Sequence, residues 1–384
     1  MKTATVSALT ALLGAAALFS GGLALGNAPA AAPSAAASAA ALQSPASSPS
    51  APSPHAQAAK VIDDLPANYA SDLDAATRAL VEKGRYVARL GDCVACHTSA
   101  QGKPLAGGLA LETPFGKLYS TNITPDATHG IGQYSFEQFE RAMRKGVAAD
   151  GHNLYPAMPY PSYAKMTTED LQALYAYLMK GVAPVAQANQ PLGMSFPFNQ
   201  RWGLAIWNWF FLDDAPFKPV AGQTEAFNRG AYIVQGAGHC GACHTPRGIG
   251  FQEKAMSDQG SSGSYFLSGE TVEHWRALSL RNLWTPEETA EMLKTGRNQH
   301  GTVSGNMVDV VQHSTQYMTD GDLLAIGTYL KALPASQHDL PMQVAQGPAP
   351  AIAPAGAVAV PAAEGKVPAD IYTSAGGLGY LQFC

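Results

Sequence analysis

The sequence predicts an all-α fold built from two similar helical units in tandem, and three observations lead to that prediction. The pattern CxxCH occurs twice, as CVACH at residues 93–97 and as CGACH at residues 240–244. Each copy is preceded by a helix-like stretch with the same glycine and tyrosine, and each is followed by two further helix-like stretches with matching signals. Because these features recur in the same order, the two segments form an internal repeat.

The first helix of each unit precedes the CxxCH pattern. It contains Gly84 and Tyr86 in the first unit, and Gly230 and Tyr232 in the second. A glycine lets the backbone of another helix approach closely, and the neighbouring aromatic ring fills the space beside it. We therefore expect the first helix of each unit to pack tightly against another helix.

The second helix of each unit is predicted at residues 135–146, SFEQFERAMRKG, and at residues 285–296, TPEETAEMLKTG. Both segments start with a capping box, in which Ser or Thr is followed three residues later by Gln or Glu. Both end at a glycine, which readily adopts the left-handed conformation of a helix C-cap. The matching ends favour two helices of equal length at corresponding positions.

The third helix of each unit, TTEDLQALYAYLMKGV or TDGDLLAIGTYLKAL, is also predicted to start with a capping box. The residue pairs are Thr167 with Asp170 and Thr319 with Asp322. Apolar residues then recur at spacings of three and four, which predicts that one face of each helix is buried.

CxxCH is the attachment signature of a c-type haem. The two thiols can add to the two vinyl groups of one porphyrin, and the adjacent histidine can then bind the iron. A thioredoxin-like redox pair and a four-cysteine zinc site are the alternatives, but neither explains a histidine directly after both pairs. The sequence thus predicts two covalently bound haem c groups, with His97 and His244 as iron ligands. The predicted attachment residues are Cys93, Cys96, Cys240 and Cys243.

A methionine follows the second helix of each unit at a corresponding place, Met158 in LYPAMPYPSY and Met307 in VSGNMVDVV. Such a residue can reach the opposite face of the haem as the sixth iron ligand. A single methionine is more often a core residue, and the repeated position is what favours ligation here. The competing ligands are His152, Met143 and Met166 in the first unit, and His300, His313 and Met318 in the second.

In these residues and in longer segments the chain resembles the cytochrome c subunits of membrane-bound bacterial dehydrogenases. This group serves quinoprotein alcohol dehydrogenase and the flavin-dependent gluconate, 2-ketogluconate and sorbitol dehydrogenases. The segments that carry the resemblance include GRYVARLGDCVACHT, TPFGKLYSTNITPD, LYPAMPYPSYAKM and STQYMTDGDLLAIGTYLKALP.

The resemblance implies that the chain is not itself an enzyme but transfers electrons. It would accept them from a flavoprotein or quinoprotein large subunit that oxidises an alcohol, a sugar or a sugar acid, with or without a small third subunit. It would pass them toward ubiquinone in the membrane. The resemblance also implies that His97 and His244 are the proximal ligands, and Met158 and Met307 the distal ones. Family members carry three haem domains, whereas this chain is expected to hold two haems.

Composition shifts divide the chain into segments. The expected organisation is a signal peptide (1–26), a disordered Ala/Pro/Ser tether (27–60), a first cytochrome c domain (70–185), an aromatic linker (186–222), a second cytochrome c domain (223–335), a Pro/Ala linker (336–367) and the start of a truncated third domain (368–384). The signal peptide predicts export to the periplasmic face of the inner membrane. Cys384, the last residue, is interpreted as the first cysteine of a third haem motif, with a free thiol or an intermolecular disulfide as alternatives.

The linker between the units holds an aromatic cluster in RWGLAIWNWFFL, residues 201–212. Amphipathic aromatic residues suit a membrane interface or a hydrophobic partner surface. They also suit a seam between two domains, and both alternatives stay open.

Other functions receive less support from the sequence. A formal net charge of -5 argues against a nucleic-acid partner, and no hydrolytic, phosphate-binding or zinc motif is found. A di-haem enzyme such as a peroxidase is the main rival, but it needs an open iron position, and the methionine in both units argues against that. A haem-based sensor or a structural module lacks a supporting output domain.

Overall fold

The computed structural model describes Leu65 and residues 73–272 and 275–340, and most of these residues lie in helices or in the loops between them. The helices of this part are α1 (Ala75–Leu90), α2 (Cys93–Cys96), α3 (Phe136–Lys145), α4 (Tyr160–Tyr163), α5 (Thr168–Lys180), α6 (Gly203–Phe211), α7 (Glu225–Gln235), α8 (Gly241–His244), α9 (Pro286–Thr295), α10 (Asn306–His313) and α11 (Asp320–Ala332). Two short 3-10 helices cover Gly263–Tyr265 and Thr315–Tyr317. We call residues 73–185 the first half and residues 223–340 the second half.

Short strands accompany the helices, so the all-α prediction is correct for the helices but incomplete. The strands are β1 (Ala110–Thr113), β2 (Gly116–Tyr119), β3 (Gly193–Met194), β4 (Glu270–Val272), β5 (Trp275–Ala277), β6 (Arg297–Asn298) and β7 (Gly301–Thr302). All pairings among them are antiparallel, in the orders β1-β2-β3, β4-β5 and β6-β7. The predicted signal peptide, the tether and Cys384 lie outside the described residues.

The segments at the predicted linker boundaries contact the two halves. Strand β3, inside the predicted aromatic linker, pairs with β2 of the first half. Ser336 donates from its hydroxyl to the carbonyl of Ser264 at 2.6 Å, and the Leu340 backbone N–H donates to the carbonyl of Ser268 at 2.7 Å. The hydrogen-bonded structure of the second half therefore continues to Leu340.

Helices α3 and α9 begin and end as the sequence predicts. Both capping boxes are formed, by Ser135 with Gln138 and by Thr285 with Glu288. The helices end at glycines with left-handed backbones, Gly146 at φ 61° and Gly296 at φ 76°. The local signals alone fix these two elements.

The first and third helices of each half pack directly on each other, α1 on α5 and α7 on α11. A Cβ atom on Gly84 would collide with the carbonyl oxygen of Ala173, and one on Gly230 would collide with that of Ala325. The predicted close approach is confirmed in both halves. Side chains buried around these contacts include Val81, Leu171, Leu174 and Tyr177, and in the second half Phe227, Ile233, Leu323, Ile326 and Tyr329.

Helices α5 and α11 have the predicted N-caps, but their capping boxes are only half formed. Thr167 and Thr319 accept hydrogen bonds from the backbone N–H of Asp170 and Asp322. The returning bond from the aspartate is replaced, because the Thr167 N–H donates instead to the hydroxyl of Tyr232 at 3.1 Å. The equivalent bond runs from Thr319 N–H to the hydroxyl of Tyr86, also at 3.1 Å. The prediction of full capping boxes here is therefore wrong.

These tyrosines connect the two halves reciprocally, and we call their bonds the crossed tyrosine contacts. Tyr86 of the first half donates to Asp322 of the second at 2.6 Å, and Tyr232 of the second half donates to Asp170 of the first at 2.6 Å. Each aspartate also pairs with a cation of its own half. The pairs are Lys83 with Asp170 at 2.8 Å and Arg229 with Asp322 at 2.7 Å.

Helix α6 in the aromatic linker has two different faces. On one face, the Trp207 indole donates to the carbonyl of Gly250 at 2.7 Å, and Asn208 accepts from the Tyr160 hydroxyl at 2.7 Å. On the other face, large apolar side chains are exposed, among them Trp202, Ile206, Trp209 and Phe210. The helix therefore forms a seam on one side and presents an apolar surface on the other.

Among the described residues, none of the helices has both the length and the apolar character needed to cross a bilayer.

Candidate functional site

Each CxxCH pattern folds into one short helical turn, α2 or α8, directly after the first helix of its half. The residue before the first cysteine has a left-handed backbone in both copies, Asp92 at φ 50° and His239 at φ 36°. Asp and His enter this region more readily than most residues. The chain thus turns sharply before each motif, and the connection from the first helix is longer in the second half, where α7 ends at Gln235 and α8 begins at Gly241.

The two motif histidines are held by the same hydrogen bond. His97 Nδ1 lies 2.6 Å from the carbonyl oxygen of Thr121, and His244 Nδ1 lies 2.7 Å from that of Leu278. A carbonyl can only accept, so Nδ1 is the donor, and in the neutral ring the lone pair is then on Nε2. Burial lowers the pKa of both imidazoles, against the opposing effect of the backbone hydrogen bond. Each ring is thus prepared to bind a metal through Nε2.

The loops that follow the motifs repeat this arrangement. The hydroxyl of Thr98 accepts from the N–H of Leu105 at 3.1 Å, and that of Thr245 accepts from Leu267 at 3.0 Å. Both leucines are fully buried and have positive φ, 63° and 55°. The loops therefore return to the histidines along equivalent paths, although the second is longer.

The segment after the third helix supports the carbonyl that each histidine uses. Beside Thr121, the buried amide of Asn122 donates to the carbonyls of Val185 at 2.8 Å and Gln187 at 3.1 Å. Beside Leu278, the Ser279 hydroxyl donates to Asp339 at 2.8 Å. The orientation of each histidine thus depends on chain segments remote in sequence.

The environment of Cys93, Cys96 and Cys240 does not favour thiolates. Burial, followed by the charge of Asp92, raises the pKa of Cys93 to about 12 and that of Cys96 to about 11. Burial likewise raises the pKa of Cys240 to about 12. A redox-active CxxC pair needs a lowered thiol pKa, so these values argue against a thioredoxin-like site.

One cavity of about 520 Å³ is lined by both motifs. Cys93, Cys96 and His97 contribute to its wall from the first half, and Cys243 contributes from the second. Its volume falls within the range of ordinary cofactor sites. The site has cysteines at CxxC spacing and a histidine whose Nε2 is available. These groups, beside a cavity of this size, fit covalently bound haem c.

The predicted distal ligands lie in different surroundings. Met158 lines this cavity, as do two of its predicted rivals, Met143 and His152. His152 forms an ion pair with Asp150 at 2.7 Å. Met307 lies half-buried on α10, and it lies outside the lining of this cavity, as do Cys240 and His244.

Three of the remaining rival ligands, Met166, Met318 and His300, are engaged elsewhere. Met166 and Met318 are buried in the core, at 1% and 2% exposure. The ring of His300 stacks on the ring of Trp284, with centroids 5.4 Å apart. Its Nε2 atom lies 3.1 Å from Oε1 of Glu288.

Four cavity residues were missed by the sequence analysis: Tyr163, His239, Glu253 and Met256. Burial of the Glu253 carboxyl raises its pKa to about 7, against the opposing charge of Arg247. Among the described residues, its Oε2 atom has no hydrogen-bond partner. His239 could have been found, because it stands directly before Cys240 where Asp92 stands before Cys93. No local signal identifies the others.

Comparison with known proteins gives consistent matches. The cytochrome c family model matches residues 81–181. The chain is 50% identical over 270 residues to the gluconate 2-dehydrogenase cytochrome c subunit of Pantoea cypripedii, covering 68% of this chain and 61% of that one. It is 53% identical over 268 residues to the cytochrome c subunit of the quinone alcohol dehydrogenase of Gluconacetobacter polyoxogenes, covering 67% and 57%.

A shorter relative covers the same region. The chain is 34% identical over 267 residues to a diheme c-type cytochrome of Cereibacter sphaeroides, covering 66% of this chain and 86% of that one. By contrast, the chain spans about three fifths of the length of the cytochrome c subunits of gluconate 2-dehydrogenase and quinone alcohol dehydrogenase.

Proposed function

Because the chain belongs to the c-type cytochrome family of these relatives, which includes cytochrome c subunits of gluconate and alcohol dehydrogenases, we propose that it is an electron-transfer subunit. It accepts electrons from a flavoprotein or quinoprotein large subunit that oxidises an alcohol, a sugar or a sugar acid. It passes them toward ubiquinone. Membership in the family also means that the protein binds haem c covalently.

We propose that the chain holds two haem c groups, in cytochrome c domains at residues 70–185 and 223–335. His97 and His244 are the proposed proximal ligands, and Met158 and Met307 the distal ones. The matched Nδ1 hydrogen bonds support both histidines, and the cavity supports Met158. The haem-bearing residues are proposed to be Cys93, Cys96, Cys240 and Cys243.

The observation that carries the proposal is the shared cavity. A relay needs its two redox centres close together, and residues of both motifs line one space. Haem supplies a one-electron iron couple when it is bound. The protein's own residues hold the motif histidine rings in one tautomer through the Nδ1 hydrogen bonds, which favours a fixed coordination geometry.

The proposed location is the periplasmic face of the inner membrane, reached through the predicted signal peptide. The exposed face of α6 supports contact with a hydrophobic environment, since Trp209 and Phe210 are 78% and 64% exposed. We propose that this face lies against the membrane surface, where amphipathic aromatic residues are favoured. The large subunit, with or without a small third subunit, would contact other parts of the chain.

A di-haem peroxidase is not favoured, because its mechanism requires one iron with an open position. Electron paramagnetic resonance of the oxidised holoprotein separates the two functions. The relay predicts two low-spin ferric signals and no hydrogen peroxide turnover. A large high-spin signal from one haem in the native protein would contradict the relay. Intact-mass measurement should show the added mass of two haem groups.

A further inference from the structure

We infer that Tyr163 and His239 form a contact that fixes the spacing of the two haem-binding motifs and thereby sets the rate of electron exchange between the haems. This inference rests on the proposed two-haem function and deepens it. It concerns two residues that no motif includes and that lie between the motifs.

The first part of the contact starts from Tyr163, at the end of α4. Its hydroxyl donates to the carbonyl oxygen of Gly91 at 2.8 Å. Gly91 is the C-cap of α1 and stands two residues before Cys93. Tyr163 is 7% exposed, so this hydrogen bond is made in the interior. It fixes the turn that leads into the first motif.

The second part of the contact comes from the other half. The ring of His239 lies edge-on to the ring of Tyr163, with centroids 5.8 Å apart and planes at 78°. The backbone of Gly91 lies near the His239 imidazole and partly opposes the lowering of its pKa by burial. Because His239 directly precedes Cys240, the entry to the second motif is linked to the entry to the first through Tyr163.

The location of these residues distinguishes them from ordinary interface residues. Gly91, Tyr163 and His239 all line the cavity that holds Cys93, Cys96 and Cys243. Tyr86 and Tyr232 of the crossed tyrosine contacts also join the halves, but they lie outside that lining. The crossed contacts therefore orient the halves, whereas Tyr163 and His239 act at the gap between the motifs.

The backbone of His239 makes the contact specific. At φ 36° the residue is in a left-handed conformation, which aims its ring back toward the first half while the chain continues into α8. An aspartate, Asp92, occupies the matching position of the first motif. Only the second motif thus has an aromatic ring directly before its first cysteine, and this ring contacts Tyr163 of the first half.

The test uses the holoprotein with both haems attached. Tyr163→Phe removes the hydroxyl but keeps the ring, and His239→Asn removes the ring while tolerating the left-handed backbone. Tyr232→Phe is the matched control, because it removes an interface hydroxyl outside the cavity lining. Two properties are measured: the inter-haem electron exchange rate after pulsed reduction, and the exciton couplet of the two haems in the Soret circular dichroism.

We expect both cavity variants to slow the exchange several-fold, because electron transfer between two redox centres falls steeply as the distance between them grows. The couplet should change with it, while the low-spin signals persist. The Tyr232→Phe control should keep the wild-type rate. An unchanged rate and couplet in Tyr163→Phe and in His239→Asn would overturn the inference. If the wild type itself lacks two low-spin haems, the proposed function fails instead.

Discussion

The two halves of the molecule agree closely around the motif histidines and differ on the side of the predicted methionines. Both histidines donate from Nδ1 to a backbone carbonyl, and both following loops return through a buried leucine with positive φ. In contrast, Met158 lies in a loop before α4 and lines the cavity, whereas Met307 lies on α10 outside its lining. The match to the cytochrome c family model, residues 81–181, lies in the first half.

This difference shows which part of the repeat depends on local sequence. The histidine side is fixed by short-range turns and a few backbone hydrogen bonds, and both halves contain these. The methionine side depends on the chain between the second and third helices. That chain is rich in proline and tyrosine in the first half, and it forms the β6-β7 hairpin and α10 in the second. The comparison can be tested at four places.

The largest effect is expected where the first and third helices touch. Gly84→Ala and Gly230→Ala should each lower the free energy of unfolding by about 3 kcal/mol or more, because the added Cβ collides with a backbone carbonyl that cannot move alone. Gly203→Ala on α6 is the matched control, since a Cβ there meets nothing within 4 Å. Denaturant unfolding measures all three. Equal stability of Gly84→Ala and Gly203→Ala would show that the helices separate easily.

The next effect tests the methionines. Met158→Ala and Met307→Ala should each convert one of the two proposed haems to high spin and lower its reduction potential, because the proposed sixth ligand is lost. Met166→Ala, in the core of the first half, is the control that should keep both low-spin signals. Paramagnetic resonance and redox titration are the measurements. A Met307→Ala protein with unchanged spectrum and potential would assign a different ligand to the second half.

The crossed tyrosine contacts should be unequal. Tyr232→Phe should cost about 2 kcal/mol of unfolding free energy, as expected for a hydrogen bond to a charged group. Tyr86→Phe should cost less, because Asp322 keeps two hydrogen bonds from Arg229, at 2.7 Å each, whereas Asp170 keeps the single ion pair with Lys83. Chemical denaturation of the two variants gives the comparison directly. A larger loss in Tyr86→Phe would reverse this ranking.

The smallest effect is a dependence on pH at Asp322. Burial would raise the pKa of this carboxyl, but hydrogen bonds from Arg229 and Tyr86 hold it below its ordinary value. The unfolded state then binds more protons at low pH, so stability is retained above about pH 4 and falls as the pH decreases further. Asp322→Asn should show a shallower acid slope in unfolding experiments. An identical slope in wild type and variant would assign the acid sensitivity to other groups.

The sequence predicts the local parts of this structure well and the long-range parts poorly. The caps of α3 and α9 and the contact glycines depend on neighbouring residues or on one helix pair, and they are formed as expected. The Asp170 and Asp322 capping boxes fail because Tyr232 and Tyr86 arrive from the other half and take the N–H groups. Nothing within a segment of a dozen residues could reveal that competition.

The candidate site shows the same division. The CxxCH patterns identify the histidines and cysteines from five consecutive residues each. Tyr163 stands about 70 residues after Gly91 in sequence and meets it only after folding. The sequence does not distinguish the two faces of α6 for a related reason: the residues of this helix are almost all apolar, so their pattern does not separate a packed face from an exposed one.

The crossed tyrosine contacts affect which part of the gene can be moved or fused as one unit. Each third helix has its first turn completed by a hydroxyl from the other half, so neither half alone satisfies its own backbone. A gene fragment encoding one half would produce a helix with an open end and an aspartate without its tyrosine. The pair of halves is therefore the smallest portable module, and gene fusions that add or remove haem units should have their junctions outside the pair.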